Sequence, residues 1–131
     1  MRTIKFRGKK VTNGVWAYGS LVYLDKNGAA IYVQTDNGSA KVMDLVYVNP
    51  DTVGQFTGLY DKNKNEIYEG DILNVPGLGD KIEVRYVRGV FAFLWNGDLD
   101  DEAPINAPTQ EWAEVVGNIH DNPKLIKRRN G

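Results

Sequence analysis

The chain contains no cysteine, which excludes disulfides, thiolate-held zinc, iron–sulfur clusters and a thiol nucleophile. That absence fits a reducing setting inside a cell. Histidine is nearly missing too: His120 stands alone, beside only two serines, Ser20 and Ser39. Neither serine sits in a G-x-S-x-G elbow, so a Ser39–His120 dyad has no motif behind it. With so few soft ligands, a metal site would rest on carboxylates such as Asp98, Asp100 and Asp101, and a solvated, self-repelling acidic loop is the more ordinary account of them. The loop "PGLGD" (76–80) lacks the Lys and Ser/Thr of a phosphate-cradling loop. No apolar run approaches the ~20 residues of a membrane span. The basic start "MRTIKFRGKK" has no apolar stretch of the roughly 7–15 residues that a signal peptide uses. These absences predict a soluble, cytoplasmic protein, with no membrane partner and no cofactor.

What is present is β vocabulary. At 131 residues one domain is expected, 1–131, large enough to bury about two thirds of its unfolded surface. "TIKFRG" alternates Ile4 and Phe6 with Lys5 and Arg7, the two-residue period of a half-buried strand. "VWAYGSLVYL" (15–24) and "AAIYVQT" (29–35) flank Asp25-Lys26-Asn27-Gly28, which predicts a hairpin. "AKVMDLVYV" (40–48) suits a strand or a short helical turn. Further strands are expected at 52–58, 66–75, 81–89, 90–95 and 112–120, with a long loop over 96–111 and one helical turn after Pro123. In "KIEVRYV", Ile82, Val84 and Tyr86 share one face and Glu83 and Arg85 the other. The class expected is all-β, mainly antiparallel, as small barrel-like or SH3-like sheets with short helical turns; α+β is the alternative.

Net charge is −1, but its distribution is uneven. Arg2, Lys5, Arg7, Lys9 and Lys10 precede the first acid, Asp25, and no Lys or Arg occurs between Arg88 and Lys124. Such blocks serve as solvated faces or as partner surfaces.

"YDKNKNEIYEGDIL" (60–73) holds the most provocative polar pattern. Asp61, Asn63 and Asn65 alternate as the first ligands of a calcium loop do, but the sixth and twelfth positions are Glu66 and Ile72 instead of Gly and Glu. The stretch therefore reads as a turn. Its echo of "DKNGAAIY" (25–32) supports the same reading. Glu69 and Asp71 would share a strand face, where they serve either as a carboxylate pair or as acceptors for turn N–H groups.

"GQFTGLYDKNKNEIYEGDIL" (54–73), "AEVVGNIHDNPKLI" (113–126) and the opening "IKFRGK" (4–9) resemble hallmark segments of the YopX-like family of bacteriophages and prophages. The familiar central turn has Gly where this chain has Lys64. The resemblance implies a β-rich fold and a phage or prophage origin, and it carries no reaction and no catalytic residues.

The function expected is a non-enzymatic interaction or regulatory module with a protein partner or self-association, its binding residues Glu69, Asp71, Asn118 and His120. A nucleic-acid-binding barrel is the alternative. It would use Arg85, Tyr86 and Arg88, with Phe6, Trp16, Tyr18 and Tyr23 beside the basic N-terminus, although such aromatics also fill β cores. A hydrolase built on Glu69, Asp71 and His120 is the second alternative.

Overall fold

The computed structural model describes residues 3–25, 28–36, 41–95, 102–104 and 112–126, the side chains of Thr35, Asp36, Lys41, Trp95 and 102–104 excepted. Two compact units follow each other, residues 1–56 and 57–131. The fold is all-β and antiparallel, with 3-10 turns at Pro50–Thr52 and Pro123–Leu125. The expected all-β, mainly antiparallel class holds, and among the described residues the strands form two sheets that do not close into a barrel.

The first unit holds β1 (Phe6–Lys9), β2 (Trp16–Asp25), β3 (Gly28–Asp36), β4 (Lys41–Val48) and the start of β5 (Gly54–Tyr60), in the spatial order β4-β3-β2-β1-β5. The 40–48 segment resolves to strand. Its eight residues pair one for one with β3, from Ala29↔Val48 to Asp36↔Lys41, so a helical turn is excluded. A register this regular alternates the side chains of β4 strictly between the two faces. One face packs Ala17, Ala29, Ile31 and Val48 with Phe6, Leu21 and Val33. Gly8 lies in this core because a Cβ there would sit 2.9 Å from Val48 Cγ2. One bridge, Lys10↔Val48, and the Val11 N–H donating to Tyr47 O curl the sheet toward itself without closing it.

The second unit holds the rest of β5, then β6 (Glu66–Tyr68), β7 (Asp71–Val75), β8 (Gly79–Val87), β9 (Val90–Trp95), β10 (Glu102–Pro104) and β11 (Glu114–Asn118). β6 lies beside β5, and the others form a sheet ordered β10-β9-β8-β7-β11. The continuous strand expected over 66–75 is broken. Gly70, at φ 95°, turns the chain so that β6 and β7 enter different sheets. Within the loop expected at 96–111, Glu102–Pro104 is a short strand on β9; Asp98, Asp100 and Asp101 lie outside the described residues, as does Ser39. Arg88 and Gly89, both at positive φ (49° and 85°), make the two-residue β8–β9 hairpin whose Val87↔Val90 pairing follows the sheet twist. The core here is Ile67, Leu73, Val75, Ile82, Val84, Phe93 and Ala113.

Candidate functional site

The polar stretch at 60–73 builds structure. Asp61 is 3% exposed, and its Oδ1 accepts the Asn63 and Asn65 N–H groups at 2.9 and 2.8 Å. Its Oδ2 accepts the Val115 N–H at 3.0 Å and Asn65 Nδ2 at 3.2 Å. Burial pushes the Asp61 carboxyl upward, but the N–H groups of Val115, Asn65 and Asn63 together with the Asn65 amide outweigh it and hold its pKa below the ordinary 3.8. Lys64, in left-handed geometry at φ 67°, closes the turn. The turn is pinned to the β11 region a second time by the Lys62 N–H donating to Ala113 O at 2.9 Å.

The residues expected to bind gather at one place, where β7 begins beside the end of β11. Asp71 and Asn118 are register partners, and the Ile119 N–H donates to Gly70 O at 2.9 Å. Their side chains serve the backbone. Asp71, 2% exposed, accepts the Tyr68 N–H at 2.7 Å. Asn118 Oδ1 accepts the His120 and Asp121 N–H groups at 3.0 and 2.8 Å, and its Nδ2 donates to Asp121 Oδ2. Gly117 lies where a Cβ would meet Asn122 Oδ1 at 2.6 Å, so the 117–122 bend is tightly fitted. Glu69 and His120 are half-buried. Among the described residues, no three His, Asp or Glu side chains are grouped to hold a metal ion.

Arg85, Tyr86 and Arg88 share β8 and its hairpin but not a common surface. Arg85 Nε and Nη2 donate to Oε2 of Glu83, whose side chain is 1% exposed. Tyr86, half-exposed, packs edge-on to Phe91 with ring centroids 5.1 Å apart. Glu83 is buried on the face opposite Ile82 and Val84, flanked in register by buried Ile72 and Leu94. The alternation of "KIEVRYV" therefore separates two covered faces of one sheet.

A concave feature occurs in the first unit. β2 pairs with β1 through Trp16–Gly19 and with β3 only from Ser20↔Tyr32 onward. At Gly19 a Cβ would stand 2.1 Å from Tyr32 O, the close approach at which β2 swings from one neighbour to the other. Beside it is a cleft of about 380 Å³ whose lining includes Trp16, Ala17, Tyr18, Val33 and Val46. Lys10, Gln34 and Asp44 supply its polar groups. Trp16 is held in place by Arg7, whose guanidinium lies 4.5 Å from the ring, and by Lys9 at 5.5 Å. On the opposite face from Asp44, register aligns Tyr32 with Leu45 and Ala30 with Tyr47; Tyr32, Leu45, Tyr47 and Met43 are all exposed. Sequence reasoning named Lys10, Trp16 and Tyr18 but missed Gln34 and Asp44. A signal existed for Asp44: it interrupts the alternate valines Val42, Val46 and Val48 on β4.

The whole arrangement has relatives. The family model described as YopX protein matches residues 5–127. The chain belongs to the YopX family. The two segments that mark this family member in sequence, 54–73 and 113–126, are the ones that Asp61, Lys62, Gly70 and Asp71 join. Among solved structures, it is similar to protein EF1440 from Enterococcus faecalis, at 21% identity over 97% of this chain and 100% of that one, with a TM-score of 0.63. That likeness establishes the shared fold of this YopX protein. No curated protein matches the chain. No helix among the described residues is long and apolar enough to cross a membrane.

Proposed function

We propose that this YopX protein is a non-enzymatic binding module that works through its first unit. The cleft beside Gly19 carries this reading, because its lining brings aromatic and apolar residues together with a few polar groups, the make-up of small-ligand sites. The acids of the second unit support it from the other side. Of the acids a hydrolase would use there, Asp71 is buried and already accepts the Tyr68 backbone N–H, and the neighbouring Asp61 is likewise committed to turn N–H groups. Family membership supports a phage or prophage origin, and with it residence in the cytoplasm of the bacterial host.

Amide NMR spectra recorded against a library of small fragments test the reading. Shifts should concentrate at residues 16–18, 33–34 and 44–46. Shifts gathered instead about Asp71, Asn118 and His120, with ester or phosphodiester turnover lost in Asp71→Asn, would overturn it.

A further inference from the structure

On the first unit, the sheet face turned away from Asp44 carries a row of tyrosines. Register sets Tyr32 of β3 beside Ser20 of β2 and Leu45 of β4, and it sets Ala30 beside Tyr47. Tyr18 lies two residues before Ser20, so it shares the face of Tyr32 and is offset toward the C-terminal end of β3. Tyr47 is offset by two residues the other way. The three rings therefore stand on one diagonal across β2, β3 and β4, where a regular step spans about 7–8 Å. All three are between 40% and 56% exposed. One strand further along the same diagonal stands Lys9 of β1, the register partner of Trp16. Leu45 and Met43, also exposed, flank the row.

We propose that this face binds single-stranded nucleic acid, with bases stacked on Tyr18, Tyr32 and Tyr47 and a backbone phosphate drawn to Lys9. The proposal goes beyond the cleft reading and uses none of the cleft's polar groups. Trp16 takes no part in the stacking, because Arg7 and Lys9 already cover its ring. Phe6 is packed in the core and Tyr23 pairs with Ala29 on the core face, so neither belongs to the platform.

Charge favours this occupant. The first unit holds seven Lys/Arg against four Asp/Glu, a net of +3, while the second holds nine against thirteen, a net of −4. The positive charge of this near-neutral protein thus lies on the unit that carries the tyrosines, where it attracts phosphates. A two-fold pairing of copies through the same face would instead oppose two units of like charge. An unpaired strand supplies flat bases and anionic phosphates in one polymer, so it suits the rings and the lysine together. Exposed aromatics on a sheet face are how many proteins hold unpaired strands. Every base has a ring face, so the binding should tolerate any sequence.

Fluorescence anisotropy with labelled 12-nucleotide DNA and RNA strands and a DNA duplex, across a salt series, tests the proposal on the intact chain. Both single strands carry the required chemistry, and their ratio shows which is preferred. Either should bind more tightly than the duplex, whose bases are already stacked. Tyr18→Ala, Tyr32→Ala and Tyr47→Ala should each weaken binding roughly five- to a hundredfold, the range of a lost base stack. The matching Phe variants keep the ring and should stay near wild type. Lys9→Gln should lower the slope of log affinity against log salt by about 0.7, whereas Lys124→Gln, the same charge change on the second unit, should not. Circular dichroism verifies folding, and amide NMR shifts at 18, 32, 45 and 47 on adding strand locate the contact in the unaltered protein. Absence of strand binding at low salt, duplex bound as tightly as single strands, or affinities indifferent to the three tyrosines overturns the proposal. So does light scattering that shows a dimer dispersed by Tyr32→Ala while no strand binds, which would make the face a self-association surface. Fragments in the cleft without strand binding defeat this proposal alone, and strand binding without fragments defeats only the cleft reading.

Discussion

Replacing Asp61 by Asn changes one oxygen into an NH₂ group and should cost this protein about 2–4 kcal/mol. The carboxylate is a pure acceptor facing four donors: Asn63 N, Asn65 N, Val115 N and Asn65 Nδ2. Whichever way the new amide is turned, its NH₂ points at a pair of those donors. With the amide oxygen kept on the turn, the Val115 N–H loses a charge-assisted bond worth about 1.5–3 kcal/mol. The exposed Asn65 amide can turn to water, so its loss adds little. Removal of the charge weakens the two remaining bonds as well. The urea midpoint should fall by about 1–2 M at a slope near 2 kcal/mol per molar. Acid provides an independent check. The folded-state pKa of Asp61 lies below its ordinary 3.8, so the stabilisation is fully present above that value and fades as pH falls through the folded pKa. The gap between wild type and Asp61→Asn should therefore be constant near neutral pH and shrink below about pH 4. A variant within about 0.5 kcal/mol of wild type at pH 7, the usual scatter for surface changes, would refute the claim that this carboxylate locks the turn to β11.

Three further outcomes follow from the same geometry. Lys64→Gly should raise stability by roughly 0.5–1 kcal/mol in the same titration, because it relieves a side chain held at φ 67°; a loss would mean the turn is not strained. Arg85→Met, which leaves Glu83 buried without its guanidinium, should cost about 2–4 kcal/mol, and adding Glu83→Met should recover much of that. Additive losses in that cycle would show that the pair is not coupled. Gly19→Ala should destabilise by ~1–3 kcal/mol and shift amide resonances lining the cleft, since its Cβ would collide with Tyr32 O; an unperturbed spectrum would contradict that close approach beside the cleft.

The turns were the most readable part. The turns at Asp25 to Gly28 and at 61–65 are encoded by residues that tolerate positive φ or accept nearby N–H groups, a chemistry complete within five residues. Strand 40–48 was ambiguous because Val42, Leu45 and Val46 suit either period, and only its one-for-one pairing with β3 decided it. The break at Gly70 escaped for the same reason: "EIYEGDILNV" alternates well enough to read as one strand, and which sheet each half joins is set by distant partners.

The amino-acid string by itself determined that this protein is a β fold without thiol chemistry, and it marked the turns at 25–28 and 61–65, because those are properties of single residues and their near neighbours. Tertiary structure alone decided that Asp61 answers to Val115, 54 residues away, that Glu83 is enclosed on a second covered face, and that Trp16, Gln34 and Asp44 line one cleft. Pairing between strands is a choice among many partners of similar local character, and it is settled by the packing of the whole sheet.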